Sequence, residues 1–286
     1  MGYGSVFVWE IAVMDIPFWK MHGAANDFIL VDDREGTFPA TDSAWLAQVA
    51  GRRTGVGSDG IILIQPSEQA DFRMRFFNPD GGEVEMCGNG ARCVARLAHE
   101  IGAAPAEMSI DTVAGVLRAE ARGDQVLLYM TEPTDIQLDQ QLELADGPLH
   151  AHMANTGVPH VVVPVDSVED ADVTGWGSAI RYHDRFAPAG TNANFLEVTG
   201  ENRLAVRTYE RGVEAETLAC GTGVVACCVL AGLAGLVTAP VTATVRSGDE
   251  LVVDYAVEEG RVTNVTLLGP AAHVFTGTLL YPEENH

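Results

Sequence analysis

Glu83-Val84-Glu85-Met86-Cys87-Gly88-Asn89-Gly90 and Glu216-Thr217-Leu218-Ala219-Cys220-Gly221-Thr222-Gly223 are one motif written twice. Each reads Glu, three residues, Cys-Gly-polar-Gly, then an apolar segment, and the cysteines lie 133 residues apart (220 minus 87). Outward from these, further segments repeat at nearly the same spacing. Gly23-Ala24-Ala25-Asn26 matches Gly157-Val158-Pro159-His160, and Gly57-Ser58-Asp59-Gly60-Ile61-Ile62 matches Thr191-Asn192-Ala193-Asn194-Phe195-Leu196, both at 134 (157 minus 23; 191 minus 57). Gly115 matches Gly248 at 133. Ordered self-similarity marks a duplicated unit, here too long for a solenoid repeat. Two homologous lobes are expected, related by a pseudo-twofold axis.

Within each half the pattern recurs. Phe28 to Val31 and His160 to Val163 are short apolar runs, and Phe72 to Phe76 and Leu204 to Tyr209 alternate, so all four read as strands. A turn follows (Asn78-Pro79-Asp80-Gly81-Gly82; Arg211-Gly212), then the cysteine motif, then a helix. The second helix is apolar nearly all round and should be buried. The first carries Arg92, Arg96 and Glu100 at four-residue spacing, predicting one wet stripe. Strands 109–111, 117–121 and 125–130 follow the first helix, and 241–246 and 250–256 the second. Val168-Glu169-Asp170-Ala171-Asp172 reads as a solvated loop. A buried helix wrapped by mostly antiparallel strands in each lobe is an α+β architecture. The expected organisation is an extension at 1–13, an N-terminal lobe at 14–131 and a C-terminal lobe at 132–269, with 270–286 returning to the first lobe.

Free cysteine usually packs as a small hydrophobe, and Cys93, Cys227 and Cys228, inside the helices, read that way. Cys87 and Cys220 differ because glycines flank both. Glycine permits close approach of a ligand, and the first N–H groups of a helix lack internal partners. That end favours anions, a substrate carboxylate included. It also favours thiolate, lowering a cysteine pKa from ~8.5 to roughly 3.5–7.5. Each half thus offers an activatable thiol beside an anion seat. With the halves face to face, one thiolate can take a proton from a carbon while the opposing thiol delivers one to its other face. A stereocentre is inverted with no cofactor. Asn26, Asn78, Asn192 and Asn194 would singly read as turn residues. Beside the repeated motifs they become ligand candidates, as does His160, which stands where Asn26 stands in the other half.

The 286 residues carry 17 Lys+Arg against 40 Asp+Glu, a net charge of −23, which leaves no basic stripe for nucleic acid. Lys20 is the one lysine. Dense carboxylates suggest adaptation to high salt; a GC-rich genome would account for the lysine deficit but not for the acid excess. The longest charge-free stretch, Thr217 to Val245, is broken by glycines and Pro240. Its compact apolar part is shorter than the roughly 18 residues a span needs, so no membrane is expected. Glu10 and Asp15 interrupt the N-terminal apolar run that a secretory signal would need. Five cysteines, two adjacent, fit a reducing cytoplasm, and no metal-ligand spacing stands out.

Lys20-Met21-His22-Gly23-Ala24-Ala25-Asn26-Asp27-Phe28, Phe77-Asn78-Pro79-Asp80-Gly81, Met86 to Cys93, Tyr209-Glu210-Arg211-Gly212 and Glu216 to Gly223 together resemble the diaminopimelate epimerases. The resemblance runs from about Asp15 to Tyr281. It implies a cofactor-independent epimerase interconverting LL- and meso-2,6-diaminopimelate, on the route to lysine and peptidoglycan. It implies Cys87 and Cys220 as paired acid and base. Asn26, Asn78, Gly88, Asn89, Asn192, Glu210, Arg211, Gly221 and Thr222 would hold the substrate, with His160 and Glu210 tuning the centre. It implies two lobes, each a curled sheet around a helix, with the site in the cleft and the last strand, near His273 to Tyr281, returning to the first lobe. Many relatives have Asn where this chain has Val158, Asn155 being the nearest amide, and some have a polar residue at Gly60. The expected partner is the small-molecule substrate, with a homodimer as the assembly to test. A proline or hydroxyproline racemase shares opposed thiols but lacks the Asn-Pro-Asp-Gly and Glu-Arg-Gly signatures. A dithiol redox protein leaves the Asn/Arg set unexplained, and a binding module has no reason to keep both thiols.

Overall fold

The computed structural model describes residues 13–84, 87–145 and 147–282; apart from Val13, the expected N-terminal extension lies outside them. The first half runs β1 (Val13–Gly23), β2 (Asn26–Asp32), α1 (Ser43–Ala50), β3 (Gly60–Gln65), β4 (Phe72–Phe77), β5 (Glu83–Val84), α2 (Gly88–Glu100), β6 (Glu107–Thr112), β7 (Gly115–Arg122) and β8 (Gln125–Tyr129). The second repeats it as β9 (Thr134–Leu144), β10 (Gly147–Asn155), β11 (Pro159–Pro164), α3 (Val173–Arg181), β12 (Asn192–Gly200), β13 (Arg203–Glu210), β14 (Ala215–Thr217), α4 (Gly221–Leu233), β15 (Val241–Thr244), β16 (Glu250–Glu258) and β17 (Arg261–Pro270). The last strand, β18 (Ala272–Pro282), pairs with β1, Val13 opposite Pro282. In the same way β9 pairs with β10. Strands β8 and β17 pair with each other and join the lobes.

Each lobe is a curled sheet with one helix inside and one outside. In the first, α2 packs Val94 and Leu97 among Phe28, Ile62 and Phe72, while Trp45 and Leu46 of α1 cover Ile29 and Ile61 on the outer face. In the second, α4 is buried from Val224 to Ala231 among Val162, Leu204 and Leu251, while Ile180 of α3 covers Val161 and Phe195.

Strand register sets the equivalence between lobes. His160 pairs with Asn192 as Phe28 pairs with Gly60, and Asn194 lies opposite Thr208 as Ile62 lies opposite Phe76. The offset here is 132 (160 minus 28), not the 134 read from the motifs. A slip of two residues keeps every side chain on its face, so the motif match found the right strand and the wrong partner. His160 therefore occupies the place of Phe28, not of Asn26. The cysteine offset rises to 133 because the turn after β13 is one residue longer: Tyr209 pairs with Glu216, Phe77 with Glu83.

Two expectations change. The stripe of α2 is wet only towards its end, at Glu100: Arg92 is wholly buried, and its Nε donates to the Pro270 carbonyl (3.1 Å). Arg96 donates to the Ala271 carbonyl and to Glu100 (2.7 Å), and His273 meets Glu100 at 2.6 Å. The charges bind the chain as it returns to the first lobe, which spacing along one helix could not reveal. The loop 168–172 is solvated only in part. Val168 and Ala171 are buried, and Asp172 caps α3, accepting from the Gly175 N–H at 2.8 Å.

Candidate active site

Cys87 and Cys220 are the N-cap residues of α2 and α4. Helices α1 and α3 have aspartate caps, whereas neither cysteine closes a side-chain capping bond. No side-chain oxygen takes the first-turn N–H groups of the two inner helices, which lie beside the sulfurs. The helices meet at this end, where Asn89 Nδ2 donates to the Ala219 carbonyl at 3.2 Å. At Gly223 the backbone must pass close to the sheet, since a Cβ would collide with Asn194 Oδ1. Its counterpart Gly90 faces Ile62 at 2.7 Å.

Around Cys87 the hydrogen bonds have a direction. Asn26 Nδ2 donates to Asp59 (2.6 Å), which turns Asn26 Oδ1 towards Cys87 Sγ (3.5 Å) and Asn89 Nδ2 (3.2 Å). Asp59 is held by Arg52, which also binds Asp27, and Asp27 by buried Lys20. Cys87 therefore faces a carbonyl that can only accept. Cys220 Sγ instead faces the Thr222 hydroxyl (3.6 Å), which meets His160 Nε2 at 3.0 Å.

Both thiols titrate high, contrary to the expectation from the helix ends. Burial pushes Cys87 up; the Gly90 N–H opposes this and the Glu210 carboxylate adds to it. Burial and Glu210 push Cys220 up to about 12, against the Thr222 hydroxyl. Desolvation of a thiolate outweighs the helix end once the sulfur is enclosed. Glu210, half-buried with its own pKa raised by burial, acts on both sulfurs. Burial, helped by Arg211, lowers His160 to about 3, so its ring is neutral.

Gly88 and Gly221 open the two helices. Asn192 is buried, its Oδ1 accepting the Arg211 N–H (2.8 Å) and its Nδ2 donating to Pro159 (3.3 Å). Asn78 is half-buried in the turn after β4, closed by Gly81 at φ +83°. Asn194 is not a surface ligand candidate: it is wholly buried beneath α4. Asn155 accepts from the Gly157 N–H at 3.0 Å within its own turn. Gly60 is forced by packing, a Cβ there colliding with the Phe76 ring. Sequence reasoning missed Asp59, Arg52 and the role of Lys20, which converge from 20 to 59; the isolated lysine was the one usable signal.

Among the described residues, Asp139, His150 and His152 bring ligand atoms within 4.8 Å of one another on the β9–β10 hairpin. His152 Nδ1 already accepts the Asp139 N–H (3.1 Å). A metal-bound imidazole ordinarily donates its other N–H, so this trio suits a surface hydrogen-bond cluster.

The sequence profile for diaminopimelate epimerase matches residues 18–136 and 152–274. A diaminopimelate epimerase of Aquifex aeolicus is 41% identical over 274 residues, 92% of this chain and 97% of that protein. One from Chlorobaculum tepidum is 42% identical over 263 residues, 91% and 99%. The chain belongs to the diaminopimelate epimerase family. Solved structures share the two-lobed fold at low identity. A PhzF-family phenazine biosynthesis protein of Enterococcus faecalis superposes with a TM-score of 0.69 at 14% identity, covering 93% of this chain and 99% of that one. A probable proline racemase of Agrobacterium radiobacter gives 0.67 at 16%, covering 92% of each. The fold is therefore wider than the diaminopimelate epimerases. No helix among the described residues is long and apolar enough to cross a membrane.

Proposed function

We propose that this chain interconverts LL- and meso-2,6-diaminopimelate by a two-base reaction between Cys87 and Cys220, without cofactor, as a step towards lysine and peptidoglycan. The observation that carries the reading is the pair of N-cap cysteines on two abutting helices of duplicated lobes, in a chain over 40% identical to diaminopimelate epimerases. The sulfur in its thiolate form takes the α-proton, leaving an electron pair at the α-carbon. The opposing thiol gives its proton to the other face, so protons balance and configuration inverts. Burial favours the thiol at both sulfurs, so the sulfur that acts as base first releases its proton to solvent. Uncapped N–H groups at Gly88, Asn89, Gly221 and Thr222 receive the α-carboxylate. Asn26, Asn78, Asn192, Glu210 and Arg211 hold the polar groups, and His160 and Glu210 tune the sulfurs. The same reading takes residues 14–131 and 132–269 as the lobes, the cytoplasm as the compartment and a homodimer as the assembly.

The test is incubation of LL-diaminopimelate in heavy water with metal-free protein and chelator. The meso isomer should appear carrying deuterium at the inverted carbon. No exchange, or exchange that returns only with added metal, would remove the reading. The same assay with proline separates it from a racemase of similar fold.

A further inference from the structure

The two cysteine helices lie over different floors. Beneath α2 the inward side chains of β2, β3 and β4 are Phe28, Ile62 and Phe76, all in the first-lobe core. At the equivalent places beneath α4 stand His160, Asn194 and Thr208, each at most 3% exposed. The apolar trio shows that the fold does not need polar groups there.

Hydrogen-bond direction through the polar trio is determined. The Val161 carbonyl can only accept, so the group at 2.9 Å from it is the Asn194 amide nitrogen. The same Nδ2 faces His160 Nδ1 at 3.1 Å, and Thr208 Oγ1 donates to Asn194 Oδ1 at 2.9 Å. An amide nitrogen only donates, so His160 Nδ1 must be the acceptor. In a neutral imidazole the proton then sits on Nε2, facing Thr222 Oγ1 at 3.0 Å. The hydroxyl that accepts this hydrogen bond has its own hydrogen left for Cys220 Sγ at 3.6 Å.

We propose that Asn194 is a positioning residue: it locks His160 in the Nε2–H tautomer, and His160 thereby aims the Thr222 hydroxyl hydrogen at Cys220. The inference rests on the two-thiol reading and deepens it. The relay gives Cys220 a side-chain donor, whereas the side chain facing Cys87 is the acceptor Asn26 Oδ1. The two homologous sulfurs thus meet opposite side-chain partners, an acceptor at Cys87 and a donor at Cys220.

Histidine labelled with ¹⁵N tests the first link in the intact, substrate-free protein. Its two-bond couplings should show His160 with hydrogen on Nε2. Hydrogen on Nδ1 overturns the proposal whatever the activity, and failure of the heavy-water test above removes the two-thiol reading separately. Asn194→Asp places an acceptor against Nδ1 and should reverse the tautomer. Its kcat should fall by about 10²–10⁴-fold, as for a misdirected acid–base group, with KM nearly unchanged. A reversed tautomer with parental kcat overturns the proposal. Should that variant not fold, Thr222→Val cuts the relay with little change of volume. It should lower kcat while leaving the His160 tautomer and KM alone; a raised KM with kcat intact overturns the proposal.

Discussion

Lys20 is the chain's one lysine, and it is buried at 5% exposure. Its ammonium lies 2.5 Å from the Asp27 carboxylate and also reaches the Gly57 carbonyl. Burial is the largest influence on Asp27 and would raise its pKa; Arg52 and Lys20 together outweigh it and hold the carboxyl at about 2, against an ordinary 3.8. At roughly 1.4 kcal/mol per unit, this is about 2 kcal/mol of stability at neutral pH. The side chain of Arg52 is 58% exposed, so solvent screens its share, while that of Lys20 is 6% exposed. Lys20→Met should therefore cost about 2–3 kcal/mol at pH 7, because Asp27 keeps only an exposed partner and the Gly57 carbonyl loses a donor. The folded pKa of Asp27 is depressed, so its contribution is present above about pH 4 and lost as pH falls towards about 2. In the variant that loss should largely vanish. Urea unfolding of both proteins at pH 7 and at pH 3, in a cycle with Asp27→Asn, reads the coupling. A variant within about 0.5 kcal/mol of its parent, with the same acid profile, would refute the reasoning.

Replacing either Cys87 or Cys220 by Ala should cut epimerisation by at least roughly 10²–10⁴-fold, since each supplies one face; full turnover in Cys220→Ala would eliminate the two-base scheme. Cys227→Ala, wholly buried, should cost about 1 kcal/mol in urea unfolding and leave kcat intact. Raising salt from low to molar concentration should raise the melting temperature by screening the net charge of −23, and a flat or falling curve counts against high-salt adaptation. Mild oxidant should cross-link Cys87 to Cys220 slowly at neutral pH, both thiols being raised, and faster in alkali; peptide mapping that finds both still alkylatable after reversible inactivation speaks against facing sulfurs.

The duplication was legible because glycine-flanked cysteines are rare and their constraints act over a few residues. The same signal located both inner helices and most inner strands. Register was legible only to within two residues, because a two-residue slip changes no face, and His160 was thereby matched to Asn26. Helices α1 and α3, short and on the outer surface, left no repeated motif. Arg92 shows a further limit: its helical spacing suggests a wet face, while its burial depends on Pro270, far along the chain. The thiol pKa values went the same way. A helix end is visible in sequence, but enclosure of the sulfur is a property of the assembled lobes.

The pairing of β18 with β1 has a consequence for synthesis. Cut between β8 and β9 and joined end to end, the chain would be two contiguous repeats, β9 to β17 and then β18 to β8. The natural chain is a circular permutation of that tandem. The first-made lobe therefore leaves the ribosome with one edge of β1 unpaired and with Arg92 and Arg96 lacking the carbonyls they hold in the finished fold. Strand β18, which follows the second lobe in the chain, closes it. The nascent first lobe should thus expose a sticky strand edge until β18 is made, and the bonds of Arg92 and Arg96 to Pro270 and Ala271 should form only then.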